Sequence, residues 1–121
     1  MSTRGRVLEL IEYVKAGRIP EAIQEFYDEE AVMQENRQPP TMGKAANLVR
    51  EQGFADSIER FHEVRAASVS VDGDQVLIEW IFDYTMRDGR RIRMEEIAQQ
   101  TWRDGRIVRE RFFYDSATLA A

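Results

Sequence analysis

Between Gln75 and Asp115 the chain reads QVLIEWIFDYTMRDGRRIRMEEIAQQTWRDGRIVRERFFYD. Val76, Ile78, Trp80, Phe82, Tyr84 and Met86 fall at every second position. Successive strand residues point to opposite sides, so these six share one apolar face. Arg87-Asp88-Gly89 and Arg103-Asp104-Gly105 supply two turn signals, since an Asp-Gly pair takes the positive φ angles of a two-residue hairpin. The stretch is predicted to form three strands joined by two tight hairpins.

Working outward, Ser2 or Thr3 is placed to cap a first helix, whose apolar positions Val7, Leu10, Ile11 and Val14 recur at helical spacing to about Ala16. Gly17 is placed to stop it. Pro20 suits the first turn of a second helix carrying Ala22, Ile23, Phe26 and Tyr27, with Asp28-Glu29-Glu30 as its end. A short strand is expected over Ala31–Asn36. The following Arg37-Gln38-Pro39-Pro40-Thr41 is a loop, because proline cannot serve a central strand. Gly43 leads into a third helix from about Lys44 to Arg60, with Leu48, Val49, Ala55 and Ile58 on its buried side and Gly53 as a point of division. Phe61–Val71 alternates loosely as a strand that ends at the Asp72-Gly73-Asp74 turn, and Ser116–Ala121 carries no signal. Helices gathered first and a hairpin meander last indicate an α+β fold, with helices on one face of a curved antiparallel sheet.

A chain of 121 residues is expected to form one domain with a single core. It contains no cysteine, which excludes disulfides, thiolate catalysis and Cys-based zinc sites. No signal-like segment and no apolar run of membrane-spanning length is present, so a soluble, cytoplasmic protein is expected. The net charge of −5 argues against a nucleic-acid partner. Arg87, Arg90, Arg91, Arg93, Arg103, Arg106, Arg109 and Arg111 do cluster, but in turns and at alternating strand positions, as on a solvated or interface face.

Several segments carry a family resemblance. They are a helix ending Lys15-Ala16-Gly17, then Phe26-Tyr27-Asp28-Glu29-Glu30-Ala31-Val32, then a Gly43-Lys44 helix start, then Trp102-Arg103-Asp104-Gly105-Arg106-Ile107-Val108 before Phe113-Tyr114-Asp115. In these the chain resembles the nuclear transport factor 2-like superfamily, in its SnoaL-like branch. The resemblance implies a cone-shaped α+β barrel in which three N-terminal helices close a cavity over the concave face of a strongly curved, mostly antiparallel sheet. It also implies a homodimer through the convex face. The fold hosts isomerases, cyclases, hydrolases, dehydratases and non-catalytic binders, so it does not by itself name a reaction.

Alternation and resemblance together assign the cavity side. It is expected to carry Met33 and Glu35 on the first strand and Trp80, Phe82 and Tyr84 on the third. Met94, Glu96, Ala98, Gln100 and Trp102 follow on the fourth, and Glu110, Phe112 and Tyr114 on the last. An aromatic cup with a few carboxylates is the general form of a small-molecule pocket, although such a stripe is also how a plain core reads.

Glu35 is the first candidate base, because the resemblance places it where ketosteroid isomerases of the superfamily carry a proton-shuttling aspartate. A carboxylate in an apolar cavity has its charged form disfavoured, which moves its pKa toward the range useful for proton transfer. The tyrosine and the protonated aspartate of those isomerases correspond to Leu10 and Ala98, so steroid isomerisation is not expected. Glu96 and Glu110 are the other inward acids. They either share a proton with Glu35 or pair with an arginine or tyrosine of the wall. Carboxylates suit a hard cation, but no histidine stands at ligand spacing, and neither metal nor cofactor is expected. His62, the only histidine, sits where a solvated or capping role is usual.

Ile81, Ile97, Ile107 and Phe113 are expected to face outward and meet a partner sheet. The chain is thus expected to be a homodimer with a pocket for a small hydrophobic molecule, such as a polyketide, terpenoid or steroid-like compound. Cofactor-free acid-base chemistry of isomerase, cyclase or dehydratase type would fall to Glu35, with Glu96 or Glu110. The alternatives are a binding module without turnover and an accessory domain acting through its convex sheet.

Overall fold

The computed structural model describes residues 2–119. The chain runs α1 (Thr3–Lys15), α2 (Ile19–Phe26), β1 (Tyr27–Glu35), β2 (Thr41–Met42), α3 (Lys44–Ser57), β3 (Ile58–Asp72), β4 (Gln75–Met86), β5 (Arg91–Arg103) and β6 (Arg106–Phe113), and ends in a 3₁₀ turn over Ser116–Leu119. The strands form one sheet in the order β2-β1-β6-β5-β4-β3. β3 to β6 make the antiparallel meander, and β1 joins it parallel to β6. Three helices packed on this curved six-stranded sheet give the α+β architecture that the sequence indicates.

Local chemistry accounts for the first helices. The Ser2 hydroxyl accepts from the Gly5 amide at 3.0 Å and caps α1. At its far end Gly17 takes φ of +76°, while the Gly17 and Arg18 amides reach back to the Val14 and Tyr13 carbonyls at 3.0 and 2.9 Å. That paired closure needs a residue at ease with positive φ, hence glycine. Pro20 lies in the first turn of α2. Val7, Leu10, Ile11, Ala22, Ile23 and Phe26 are buried from the helix side against Val76, Ile78 and Ile107 of the sheet.

Several expected boundaries move. α2 stops at Phe26, and the acidic run lies inside β1, which starts at Tyr27 rather than Ala31. Parallel pairing with β6 holds the run at its two ends, Tyr27 against Ile107 and Val32 against Arg109, with an irregularity between them, and Glu29 and Glu30 stay exposed while Tyr27 and Ala31 are buried. α3 ends at Ser57, not Arg60, because Ile58 and Arg60 pair with Met86 and Thr85 of β4. Gly53 does not divide it. Its buried residues are Lys44 and Asn47, whereas Val49, expected inside, is 75% exposed. Asn47 ties the helix to its surroundings by donating to the Ala31, Thr41 and Gly43 carbonyls at 3.2, 3.0 and 2.8 Å.

The two Asp-Gly turns also differ. Asp104 and Gly105 take φ of +52° and +78°, as a two-residue hairpin requires. At the other turn only Gly89 is positive, at +95°, and Arg87 to Arg90 form a longer loop closed by the Asp88 carboxylate accepting from the Arg90 amide at 3.0 Å.

On β4, Val76, Ile78, Trp80 and Tyr84 are buried in the predicted alternation. Ile107 departs from it: expected outside, it is fully buried. Thr101 pairs with Arg109 but Trp102 with Ile107, so Val108 is an extra residue, and the bulge brings Ile107 to the same face as Glu110. Three further register shifts in the β3–β4 ladder add curvature to the sheet. Three arginines of the meander meet acids: Arg91 with Asp83 at 3.0 Å, Arg93 with Glu63 at 3.3 Å and Arg90 with Asp88 at 3.0 Å.

Candidate functional site

Between the helices and the concave face of the sheet lies a cavity of about 220 Å³. Met33, Glu35, Trp80, Phe82, Tyr84, Met94, Glu96, Gln100, Glu110, Phe112 and Tyr114 all reach its wall. Strand alternation had grouped these residues, and curvature turns them toward a common space. Trp80 and Phe82 stack at 5.3 Å between ring centroids. Ala98 and Trp102 do not line the cavity. Trp102 is buried beneath α2 with its ring edge-on to Phe26, 6.5 Å between centroids, where it acts as core. His62 lies outside the wall on β3 and bonds the Thr85 hydroxyl at 2.7 Å.

The helices contribute what the sequence reading missed. Leu10, Val14, Ile19, Ala22 and Ile23 form an apolar roof, Leu119 of the terminal turn joins the wall, and α3 supplies Arg50, Glu51 and Phe54. Asn47, Arg50, Glu51 and Phe54 stand at i, i+3, i+4 and i+7, the spacing of one helix face. That was the available signal. Aliphatic residues of the same helix, Leu48 and Val49 among them, mask it by offering a competing buried side.

The polar groups fall into two sets. At the inner end Glu110 is fully engaged. The Tyr27 hydroxyl donates to its Oε1, and Gln100 Nε2 donates to its Oε2 at 2.6 Å. Trp102 Nε1 donates to Gln100 Oε1 at 2.9 Å, which fixes the amide so that its NH₂ faces the carboxylate. Glu35 belongs to the other set. Its Oε1 accepts from the Tyr114 hydroxyl at 3.2 Å, while its buried Oε2 has no hydrogen-bond partner. Glu51 contacts Arg50 at 3.0 Å, and Glu96 has no hydrogen-bonding partner among the described residues. These residues stand on β1, β5, β6 and α3, with Tyr114 just past the end of β6, and only the closed fold brings them together.

The sequence matches the SnoaL-like domain family over residues 1–114. The chain belongs to that family. Among solved structures, this SnoaL-like chain is similar to a protein of Mesorhizobium loti provisionally described as a SnoaL-like polyketide cyclase, with a TM-score of 0.83 and 24% identity over 94% of this chain and 100% of that one. A protein of Bacillus subtilis provisionally described as an isomerase gives a TM-score of 0.82 and 24% identity over 98% and 92% of the two chains. TerC, co-crystallised with polyporic acid, gives 0.81 and 14% identity over 97% and 94%. At these identities the likeness is one of fold, the nuclear transport factor 2-like α+β cone. Comparison with curated protein sequences finds no match.

Within the SnoaL-like cavity every acid is shifted the same way. Burial raises Glu110 to about 7, and the hydrogen bonds from Tyr27 and Gln100 only partly oppose it. Burial also raises Glu35, against the pull of the Arg50 guanidinium and the Tyr114 hydroxyl. Glu51 is raised by burial and lowered by Arg50. Glu96 is raised well above the ordinary carboxyl range, by burial and by the negative charge of Glu35, Glu110 and Glu51. Acids moved toward neutrality on an apolar wall can hold or release a proton near physiological pH. Among the described residues no three His, Cys, Asp or Glu side chains are grouped to hold a metal ion, and no helix is long and apolar enough to cross a membrane.

Proposed function

We propose that this SnoaL-like protein binds a small hydrophobic molecule and moves a proton on it without a cofactor, in a reaction of isomerase, cyclase or dehydratase type. The observation that carries the reading is the free, buried Oε2 of Glu35 on the wall of an apolar cavity. An acceptor with no protein donor is available to a substrate proton. Glu35 is the base, and Glu96, unpartnered and biased toward its neutral form, is the acid that returns the proton. Glu110 has both oxygens occupied and acts as a neighbour that tunes the others.

Cavity size narrows the ligand class. A cavity of roughly 150 Å³ accommodates benzene, so about 220 Å³ suits one or two rings, or an acyclic terpenoid of similar bulk, rather than a four-ring steroid. The fold relatives described as a polyketide cyclase and an isomerase, and the one crystallised with polyporic acid, support a pocket for such molecules.

The second reading is a binder without turnover, favoured by the apolar roof. Incubating 1-indanone, a two-ring ketone, with the protein in D₂O separates the two. Exchange of its α-hydrogens, followed by NMR, is expected from the wild type and is expected to be lost in Glu35→Gln. Binding without exchange selects the binder, and exchange that survives Glu35→Gln overturns the base assignment.

We also propose a homodimer through the convex face. There Ile97 and Phe113, opposite one another in the ladder, are 37% and 38% exposed beside exposed Leu77. Light scattering over a range of concentrations tests it, and a strict monomer overturns it. A dimer with no measurable ligand binding would instead favour the accessory-domain alternative. The setting we take is the cytoplasm.

A further inference from the structure

Arg50 reaches the cavity wall from α3 with its hydrogen-bonding capacity unspent. Its Nε and Nη2 are buried and have no acceptor. Glu51 Oε1 lies 3.0 Å from Nη2, but since Nη2 makes no hydrogen bond, that carboxylate neutralises charge without lying along the N–H direction. Glu35 Oε2 stands 3.9 Å from Nη1, beyond hydrogen-bond reach, and is itself buried without a donor. Buried N–H groups without an acceptor have lost their water and gained nothing in return. When a donor and an acceptor are both left open on one cavity wall, a molecule that supplies both partners relieves both costs.

We propose that Arg50 is the specificity-determining residue of the cavity, and that it selects a neutral hydrophobic carbonyl compound whose oxygen accepts from the guanidinium while an adjacent C–H faces Glu35 Oε2. The inference rests on the cavity being a ligand site. With Glu35 ionised as the base and Glu51 beside this one arginine of the wall, a ligand that arrives already anionic meets a surplus of negative charge. A neutral ketone does not. Negative charge develops on its oxygen only as the proton leaves. The C–H bond breaks, its electron pair becomes the new C=C bond, the carbonyl π pair moves to oxygen, and the proton ends on Glu35. The guanidinium donor is then worth most at the moment of greatest charge. A planar, permanently charged fork suits that oxygen better than a flexible ammonium.

The test compares indane with 1-indanone, which are nearly the same shape and differ by the carbonyl oxygen, using quenching of tryptophan fluorescence with Trp80 in the wall. Indane is the more hydrophobic of the two, so a preference for the ketone reports the polar contact. The wild type is expected to bind 1-indanone at least about tenfold more tightly. In Arg50→Met the preference is expected to fall to within about twofold, with indane affinity retained, and in Arg50→Lys it is expected to be intermediate. Equal wild-type affinities, or a full preference in Arg50→Met, overturn the proposal. If circular dichroism shows Arg50→Met unfolded, Arg50→Lys decides: a preference reduced at least threefold supports the proposal and an undiminished one overturns it. Failure of both probes to bind overturns the cavity reading and the proposal with it. An Arg50-dependent preference without α-hydrogen exchange supports the proposal and overturns only the catalytic reading.

Discussion

Glu110 and Glu35 hang from adjacent strands, where Met33 pairs with Glu110 and Glu35 with Phe112, and both face one cavity, yet their surroundings are built on opposite principles. Around Glu110 each polar atom has a partner, from Trp102 through Gln100 to the carboxylate and on to Tyr27. Around Glu35 the accounts are left open, with a bare carboxylate oxygen and a guanidinium that lacks acceptors. A buried network that is fully satisfied fixes geometry and resists change. One that is open has unused donors and acceptors for something that enters. Proximity to the cavity therefore does not identify the working acid. Hydrogen-bond satisfaction does.

The largest effect should separate the two glutamates directly. Glu35→Gln is expected to reduce α-hydrogen exchange of 1-indanone by roughly 10²–10⁴-fold, the usual span for a lost general base, and Glu110→Gln by less than about tenfold. Equal losses would erase the distinction between the two sets.

Next comes the pH dependence of stability. Glu110 stands at about 7 in the folded protein against an ordinary 4.5. Between those values the native state holds a proton that the unfolded chain releases. The stabilisation is complete below about 4.5 and is lost as pH rises through about 7, a change of about 3 kcal/mol from this residue. The melting temperature should therefore fall from pH 5 to pH 8. In Glu110→Gln the amide oxygen can still accept from Gln100 while its NH₂ donates to the Tyr27 oxygen, reversing that bond, and with no titrating group left the slope should flatten. The raised Glu35, Glu51 and Glu96 act in the same direction, so a residual slope should remain.

Gln100→Leu strands the Trp102 N–H and one Glu110 oxygen, and denaturant titration should show a loss of roughly 2 kcal/mol. The smallest effect belongs to the open side. Tyr114→Phe removes the 3.2 Å donor to Glu35 and should change stability by less than about 1 kcal/mol. Because that hydroxyl holds the Glu35 pKa down, the pH profile of exchange should move upward. A downward move would contradict the assignment of Glu35 as the base.

Much of this site was legible in the linear sequence. Trp80, Phe82, Tyr84, Met94, Glu96, Gln100, Phe112 and Tyr114 were placed on one side by a period of two. The errors have physical causes. Ile107 was turned inward by a bulge that depends on the partner strand. Trp102 kept the predicted side but lies under α2, beyond the end of the cavity. Arg50 and Glu51 look like solvated helix residues until β1 and β6 place carboxylates opposite them.

Alternation, Asp-Gly turns, the Gly17 stop and the Pro20 start are properties of a few neighbouring residues, and they determined the order of the elements and the inward face of β4, whereas bulges set by the partner strands decided the register around Ile107 and along β3. Which acid is closed by partners and which is left open depends on side chains brought together from β1, β5, β6 and α3 across as many as 83 positions of sequence. Distances of that kind are set by sheet curvature and helix packing, so only the tertiary structure decided that Glu110 is sealed while Glu35 Oε2 and the Arg50 Nε and Nη2 are left without hydrogen-bond partners.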